Sequence, residues 1–509
     1  MGAGTVASSA RTGDEEAIRL AADGAAPAPG VAAPDPFATV RTAGYLKLLV
    51  LAAVLGVPIS AGAYGFLALV SKLQSLTYTD LPKGLGFHGT PPWWPLPLLG
   101  VAGLLVAATI RYLPGIGGHR PAEGLKTSGS PAAIELPGVF LAALATLALG
   151  AVLGPEAPLI ALSSGLSVLI VKLVQPNTPA QALAVVGGAG SFAAVSTLLG
   201  SPLIGAFLLM EASGLGGAML GVALAPGLLA AGIGSLIFIG LNDWTGLGTY
   251  SLALPSVPHA DRPDFAEFGW ALVIAVAAAL LGAGIRRLAL LLQARVERHR
   301  MPVTVAMGLA VAGFAIAYAE GTGKSASDVL FSGQNALGPL LAHHADYSAG
   351  ALTLLVACKG LAYSASLSAF RGGPIFPAMF VGAAGGMALS HLPGLPITAA
   401  FAMGVGALSV AMLRLPMTSV LLATLLLGSN GLTVMPLVII AVVVCYVLTL
   451  RLAPHVDGRP APAGGEPGPG AGGGPGPAVG EPGPGAGGGP GPGGDGRPAP
   501  VDPGRPGAP

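Results

Sequence analysis

The sequence has few charged side chains for its length. Of its 509 residues only 9% are Asp, Glu, Lys or Arg, against about 25% in an ordinary soluble domain. The mean hydropathy is +0.74, which is typical of a chain that crosses the lipid bilayer many times. The formal net charge is only +1, which argues against a nucleic-acid partner because such a partner needs a basic face. We therefore expect a polytopic membrane protein.

Cysteine is nearly absent. Cys358 and Cys445 are the only two, and both lie in apolar runs, which predicts small buried side chains rather than a disulfide framework or a metal site. We expect no cofactor and no metal. The polar residues 1–44 lack the apolar stretch and cleavage site of a secretory signal, so we interpret them as a disordered cytoplasmic segment.

Glycine and proline are abundant, at 80 and 47 residues, but unevenly distributed. Residues 457–509 hold 21 Gly and 15 Pro and almost no apolar side chains, which predicts a disordered tail. Residues 45–456 are predicted to be the membrane domain. There, glycine allows close helix approach and, with proline, interrupts helices.

The apolar runs of the membrane domain differ in length. Four are long enough, with tilt, to cross about 30 Å of hydrocarbon; they are 45–71, 217–241, 269–285 and 432–450. Two others are predicted to be short and broken. The run 139–153 stops at Gly154-Pro155 and is predicted to resume at Pro158, and the run 351–367 stops before Pro374 and is predicted to resume at Pro377. Such breaks must face protein or water, because lipid leaves backbone groups unpaired.

The breaks occur in corresponding pairs. Residues 154–158 (GPEAP) match 373–377 (GPIFP) at an offset of 219, and 190–208 match 404–422 at an offset of 214 with Pro202 on Pro416. Chance recurrence in a Gly- and Pro-rich chain is the alternative. Two related halves, about 45–241 and 269–456, with interrupted segments in corresponding places indicate a transporter with a midplane binding site.

These breaks favour an anion as the ligand. A helix that opens with Gly-Pro directs backbone N–H groups and the positive end of its dipole at whatever lies before it. A third break at 126–131 adds serine hydroxyls, although an ordinary helix cap explains it as well. The predicted anion-binding residues are Ser128, Gly129, Ser130, Pro131, Gly154, Pro155, Glu156, Ala157, Pro158, Gly373, Pro374, Ile375, Phe376 and Pro377.

Glu156 is the most informative side chain. Between Gly138 and Asn242 the only other charged residues are Lys172 and Glu211, and an acid at membrane depth is a functional candidate. Ionised, Glu156 would compete with an anion for the helix donors, and protonated it would release them, so we predict that it gates the site and senses pH. A helix-capping role is the alternative. For Glu211 a structural contact and a part in a proton path are both open.

In their order and spacing these motifs resemble the CLC family of chloride channels and chloride/proton antiporters. The motifs are Ser128-Gly129-x-Pro131, Gly154-x-Glu156-x-Pro158, the Gly-Ser-Pro-Leu helix that ends at Glu211, Gly373-x-x-x-Pro377 and Arg414-Leu415-Pro416-Met417-Thr418. The resemblance implies an all-α membrane protein with two inverted-topology repeats, whose broken helices meet at a midplane chloride site. It also implies a homodimer with one pore per subunit, in which Ser128 lines the ion site and Glu156 is the gate.

The chain departs from the family pattern at several positions. Pro155 replaces the basic residue beside the gate, and Phe376 is fourth in its motif where the family has phenylalanine third, so either Ile375 or Phe376 could border the ion. The pore tyrosine of many members has no clear counterpart. Ala212 stands where antiporters often carry an inner proton-accepting glutamate. We interpret the Gly/Pro-rich residues 457–509 as taking the place of the regulatory domain pair of many members.

The function expected from these features is chloride transport gated by Glu156, and the departures favour a passive channel. Chloride/proton antiport is the alternative. A fluoride exporter and an intramembrane enzyme that uses Ser163 or Ser164 with a histidine are more remote. Arg371 and Arg414 are interpreted as structural pairing residues. The Arg-rich stretch 286–300 indicates the cytoplasmic side, so we expect a cell-membrane protein with both termini in the cytoplasm.

Overall fold

The computed structural model describes residues 40–453, apart from 126–128, 214–217, 249, 251, 253, 255 and 256. The predictions made for Ser128, for residues 1–39 and for the tail 457–509 lie outside the described residues. In the part of the chain that is described, the regular structure is helical and contains no β-strand.

Fourteen described helices have eight residues or more, and they form two sets of seven. The first set is α1 Ala43–Ser75, α2 Pro95–Tyr112, α3 Leu136–Ala148, α4 Glu156–Val174, α5 Ala180–Leu198, α6 Pro202–Ser213 and α7 Ala218–Thr245. The second set is α8 Phe265–Arg298, α9 Arg300–Thr322, α10 Ala349–Ala369, α11 Ile375–Leu389, α12 Ile397–Leu413, α13 Pro416–Leu426 and α14 Ser429–Leu452. A six-residue helix, Leu337–Ala342, lies in the connection before α10.

The two sets are inverted repeats. Helices α4 and α11 begin at residues separated by the offset of 219, and α6 and α13 begin at Pro202 and Pro416. At the first pair of breaks, Gly154 and Gly373 form an antiparallel bridge. Equivalent residues therefore meet with opposite chain directions, as a two-fold rotation between the halves requires. The predicted all-α fold with two inverted repeats is confirmed.

Helix lengths follow the apolar runs with one exception. Within the described residues, nine helices are long and apolar enough to cross a membrane, and the four predicted crossings correspond to α1, α7, α8 and α14. Helix α3 is short, with 13 residues. The prediction of a short segment at 351–367 is wrong, because α10 has 21 residues and is itself long enough to cross.

The helices after the breaks start earlier than predicted. Helix α4 begins at Glu156 and α11 at Ile375, two residues before the prolines at which they were expected to resume. Each proline lies in the first turn, where its missing N–H would have no intrahelical partner in any case. The early start places Glu156 and Ile375 at the helix N-termini.

Glycine allows a close helix contact in the second half. Helices α11 and α12 cross at Gly382 and Gly404, and a Cβ atom added to either would overlap the carbonyl group of the other. This contact explains part of the glycine excess in the apolar segments. Several of the largest fully buried side chains lie on α10, α11 and α12 or at their ends, namely Tyr363, Phe370, Phe376, Phe380 and Phe401. The core therefore surrounds the second break.

Candidate anion site at the paired helix breaks

The two Gly-Pro breaks are joined through their backbones. The Gly154 N–H donates to the Gly373 carbonyl at 2.8 Å, and the Gly373 N–H donates to the Gly154 carbonyl at 2.6 Å. These bonds satisfy backbone groups that an interrupted helix would otherwise leave unpaired at membrane depth. They also hold the N-termini of α4 and α11 next to each other, so two positive dipole ends converge on one place.

The Glu156 side chain occupies that place. It is fully buried, and its Oε1 accepts a hydrogen bond of 2.5 Å from the backbone N–H of Ile375, at the start of α11. Its Oε2 is buried without a hydrogen-bond partner. The carboxylate thus takes a donor that an anion would use, and half of its own accepting capacity is unsatisfied.

Only glycine leaves room for this arrangement. A Cβ atom on Gly154 or on Gly373 would overlap the Glu156 carboxyl group. Because Gly154 and Gly373 have no side chain, the Glu156 carboxylate can approach both backbones closely.

A cavity reaches the break, and we call it the polar cavity for the seven polar side chains in its otherwise apolar wall. Its volume is about 340 Å³, and Leu153 and Pro155 belong to its wall. As far as the chain is described, the lining carries no charged side chain, and its polar members are Ser71, Gln74, Tyr250, Ser327, Ser332, Gln334 and Asn335. Neutral dipoles of this kind suit an ion that must arrive and leave quickly.

A narrow crevice borders the residues that follow Glu156. It has about 10 Å³ of free volume, roughly the space of one water, and its wall includes Ala157, Pro158, Arg371 and Gly372. Glu156 follows Pro155 of the cavity and precedes Ala157 of the crevice. The cavity and the crevice thus reach the two chain neighbours of the buried acid.

Tyr363 supports the second break, and sequence reasoning missed it. It is fully buried on α10, and its hydroxyl donates to the carbonyl of Pro374 at 2.7 Å. This bond fixes Pro374, the residue just before α11. The N–H of the next residue, Ile375, holds Glu156. Its residue type gave no signal, because a tyrosine in an apolar run is more often simple core.

Lys359 was also missed, although the sequence carries a signal for it. It is the only charged residue between Asp346 and Arg371, the same isolation that marked Glu156. Its buried Nζ donates to the carbonyls of Asp328, Val329 and Leu330 at 2.9, 3.1 and 3.0 Å. The lysine therefore anchors the loop that supplies Leu330 and Phe331 to the cavity wall.

The Asp328 side chain is a second attachment point of the same loop. Its Oδ2 accepts from the hydroxyls of Tyr318 and Tyr347 at 3.3 and 3.2 Å. Burial raises the pKa of this carboxyl group, and the bond from Tyr347 and the nearby Lys359 charge oppose the rise. The loop is therefore held by the Lys359 ammonium group, which binds its backbone carbonyls, and by two tyrosine hydroxyls, which bind the Asp328 side chain.

The third break is only partly described, since Ser128 lies outside the described residues. Gly129 and Ser130 precede a 3₁₀ turn, Ala133–Glu135, that leads into α3. The Ser130 hydroxyl hydrogen-bonds the Ser164 hydroxyl on α4. The structure therefore does not bring Ser130 into hydrogen-bond contact with Glu156.

Glu211 has a structural contact. Its Oε1 accepts from the Met417 N–H at 3.0 Å, and its Oε2 accepts from the Thr418 N–H at 2.9 Å and the Thr418 hydroxyl at 2.6 Å. Both oxygens are thus engaged at the N-terminus of α13. Of the two roles left open by the sequence, the capping contact is the one that the geometry shows.

The two arginines interpreted as pairing residues differ. Arg371 is buried and donates to the carbonyls of Ile116 and Phe370 at 3.0 Å each. The Arg414 guanidinium group makes no hydrogen bond or ion pair with any described residue, and its Nε is buried without an acceptor. The pairing prediction for Arg414 is therefore wrong within the described part of the chain.

At the second break, Ile375 and Phe376 are both fully buried. The backbone of Ile375, rather than its side chain, makes the contact with Glu156. Cys358 and Cys445 are buried and unpaired, as predicted.

A sequence model of one protein family covers most of this architecture. The family described as "Voltage gated chloride channel" matches residues 102–450, which is more than half of the chain and includes both paired breaks. The chain belongs to this family. It is therefore an anion-transport protein of the membrane, and the sequence resemblance stated above is confirmed.

Curated relatives cover nearly the same region. The chain is 28% identical over 415 residues to YfeO of Escherichia coli O6:H1, a protein named for ion transport, which spans 80% of this chain and 94% of the relative. It is 27% identical to YfeO of Shigella boydii serotype 4 with the same coverage.

Solved structures share the fold. A "slow cyanobacterial Cl-/H+ antiporter" aligns with a TM-score of 0.63 at 18% identity, over 80% of this chain and 99% of the other. A "CLC-type fluoride/proton antiporter" aligns with a TM-score of 0.59 at 19% identity, over 81% and 97%. At these identities the likeness is one of fold.

Proposed function

We propose that the protein exchanges chloride for protons across the cell membrane and that Glu156 is the gate. One observation carries this proposal. The buried Glu156 carboxylate binds the Ile375 N–H at the start of α11, where an anion would bind.

Competition at this site can couple the two ions. An ionised carboxylate and a chloride ion compete for the same helix donors, since both are anions at the positive dipole ends. A proton arriving through the cavity neutralises Glu156, weakens its hold on Ile375 and frees the donors for chloride. The unbonded Oε2 is the atom best placed to take that proton.

The sequence features favoured a passive channel, and the antiport proposed here differs from that expectation. Its support is that both solved structures named above are called antiporters. The channel remains the second candidate on a specific observation: Ala212 provides no carboxylate, and both oxygens of neighbouring Glu211 are occupied. In our proposal the inner part of the proton path therefore does not use Glu211.

Purified protein in liposomes decides between the two. With chloride and pH recorded together, a chloride gradient should drive protons uphill in a fixed ratio to chloride. Chloride flux without proton movement would establish the channel and overturn antiport. Replacing chloride by fluoride in the same assay tests the fluoride alternative, for which we expect slower flux.

An enzymatic role has no support in the described geometry. Ser164 bonds Ser130. His343 and His344 instead contact the backbone carbonyls of Pro339 and Leu341.

We also propose the orientation and assembly. The Arg-rich stretch 286–300 supports a cytoplasmic far end of α8. In this proposal the polar cavity opens outside the cell, and each subunit of a homodimer has its own pathway. Maleimide labelling in intact cells should reach Ser332→Cys but not Arg298→Cys. Labelling of the second variant alone would reverse the orientation, and a monomer by light scattering would remove the dimer.

A further inference from the structure

A groove lies between α8 and α11. Helix α11 packs against α10 and α12, and α8 packs against both of those helices. The groove that the four helices form has a volume of about 230 Å³. As far as the chain is described, it shares no lining residue with the polar cavity or with the crevice. It is therefore a separate feature of the molecule.

The wall of the groove is apolar. It contains aliphatic side chains such as Ile274, Leu281 and Val381. Of the described lining residues only Thr353 has a polar side chain, and its hydroxyl donates to the Ala349 carbonyl of its own helix at 2.8 Å. No side chain in the described wall is left to hold water or an ion, and a cavity of this kind takes apolar ligands.

The groove lies at the depth of the hydrocarbon layer. Its residues on α8, from Ile274 to Leu281, fall between Trp270 and Arg286. The Trp270 indole N–H donates to the Pro393 carbonyl at 3.3 Å, and tryptophan is typical of a membrane interface, as arginine is of a cytoplasmic face. The helical rise from Trp270 to Arg286 is about 24 Å, close to the thickness of the hydrocarbon layer.

The groove opens to the surface that faces the bilayer. Ala277 and Thr353 belong to its wall and are exposed. Beside them on α8, the side chains of Val273, Val276 and Leu280 are exposed as well. An exposed apolar surface at this depth of a membrane protein meets acyl chains rather than water. The bilayer therefore supplies the occupant.

Gly385 in the floor of the groove is not required by helix packing. Its neighbours Gly382 and Gly386 allow the close contact of α11 with α12, because a Cβ on either would overlap a carbonyl group of α12. Among the described residues, a Cβ on Gly385 would meet only Val356, at an ordinary 3.8 Å. Glycine inside a helix is less favourable than alanine. Its presence here keeps the floor of the groove open.

The groove has the width of one hydrocarbon chain. The lining residues of α8 are Ile274, Ala277, Ala278 and Leu281, which share one face over two turns. Over the roughly 10 Å that two turns span, a volume of about 230 Å³ corresponds to a cross-section of roughly 20 Å². A helix with its side chains is about 10 Å across and cannot enter. A single extended chain can.

We propose that this groove is a binding site for one acyl chain of a membrane phospholipid. The chain lies between α8 and α11, with its headgroup at the membrane face that Trp270 marks. Its gain over other lipid positions is contact, because a chain enclosed on several sides meets more atoms than one on a flat helix face. The proposal goes beyond the proposed function and does not depend on which ion is transported.

Photolabelling of the whole protein in phosphatidylcholine nanodiscs tests the site. The probe is phosphatidylcholine with a diazirine in one acyl chain, and its adducts are mapped by mass spectrometry. We expect adducts on 274–281 and 381–389 at about ten times the yield found elsewhere on the exposed face of α8, the ratio for about ten additional close atom pairs. Even labelling along that face would mean ordinary boundary lipid and overturn the proposal.

Ala277→Phe should abolish the labelling of 381–389, because the ring then occupies the groove from its exposed rim. The matched control is Val276→Phe, the preceding residue, which is exposed and lies outside the lining; its labelling should equal that of wild type. Labelling that persists in Ala277→Phe, or falls equally in both variants, contradicts the site. If Ala277→Phe does not give a monodisperse helical protein, Gly385→Leu fills the groove from its floor and should have the same effect.

Two further measurements separate the phospholipid from other occupants. In detergent, added phosphatidylcholine should raise the unfolding temperature of wild type and Val276→Phe but not that of Ala277→Phe, and an equal rise in all three would place the stabilising lipid elsewhere and overturn the proposal. Thr353→Cys, at the rim, should give no disulfide-linked dimer under mild oxidation. A linked dimer would show that a second copy of the chain covers the groove.

Discussion

Two acids of the first half reach the starts of two helices of the second half, with different results. Glu156 bonds one N–H of α11 and keeps one oxygen unpartnered in a fully buried place. Glu211 bonds three donors at the start of α13 with both oxygens, near the surface. A carboxylate with few bonds and a high cost of burial can leave when protonated, whereas one with all its bonds satisfied is a stable cap.

The comparison also shows how an inverted repeat becomes asymmetric. The backbones of the two halves match at the breaks, but Ile375 stands at the position equivalent to Glu156. One half therefore supplies the carboxylate and the other supplies the N–H donor. In the proposed mechanism a single acid opens or closes the site, because its partner is backbone that cannot ionise.

The largest effect is expected from Glu156→Gln. The amide keeps the size of the side chain but cannot carry the proton, so proton flux should fall by about 100-fold or more, and chloride flux should lose its pH dependence. Paired pH and chloride recordings in liposomes measure both. Glu320→Gln, an exposed acid at the end of α9, is the matched control and should behave as wild type.

Intact proton coupling in Glu156→Gln would place the gate elsewhere. It would also remove the proposed difference between Glu156 and Glu211, since neither carboxylate would then gain and lose a proton during transport.

Gly373→Ala should displace the same carboxylate without removing it. The added Cβ overlaps the Glu156 carboxyl group, so chloride leak at neutral pH should rise, and overpacking should cost about 1–3 kcal/mol of stability. Chloride efflux and thermal unfolding in detergent report the two effects. The control is Gly313→Ala on α9, where a Cβ meets nothing within 4 Å; equal leak in both variants would contradict the seating of Glu156.

Glu211→Ala should act on stability rather than on coupling. Loss of the cap leaves the donors of Met417 and Thr418 unsatisfied, which should cost about 1–3 kcal/mol and lower the unfolding temperature. The proton-to-chloride ratio of the folded fraction should match that of wild type. A changed ratio would show that Glu211 belongs to the proton path after all.

Tyr363→Phe should have the smallest effect. It removes one buried hydrogen bond to the Pro374 carbonyl, worth about 1 kcal/mol, and leaves the ring packing in place. We expect a modest drop in unfolding temperature and a few-fold change in chloride affinity by calorimetry. An unchanged affinity together with the stability loss would confine Tyr363 to packing.

Much of the fold follows from composition and local pattern. The scarcity of charge, the lengths of the apolar runs and the paired Gly-Pro breaks predict a membrane protein of two related halves, because bilayer thickness and backbone hydrogen bonding act on each segment separately. The isolation of Glu156 in an apolar stretch is likewise visible in the sequence. The length of α10 was wrongly predicted, because its polar residues, Lys359 among them, are satisfied inside the bundle and do not shorten the helix.

The contacts that make the site depend on the tertiary structure. Glu156 and Ile375 are 219 residues apart, Glu211 and Thr418 are 207 apart, and no local rule states which N–H an acid will bind. The same holds for Arg414, whose Nε is buried without an acceptor, since whether a charge finds a partner depends on what the folded chain brings beside it. Local sequence thus accounts for where the helices break, and the inverted packing of the two halves accounts for what each break binds.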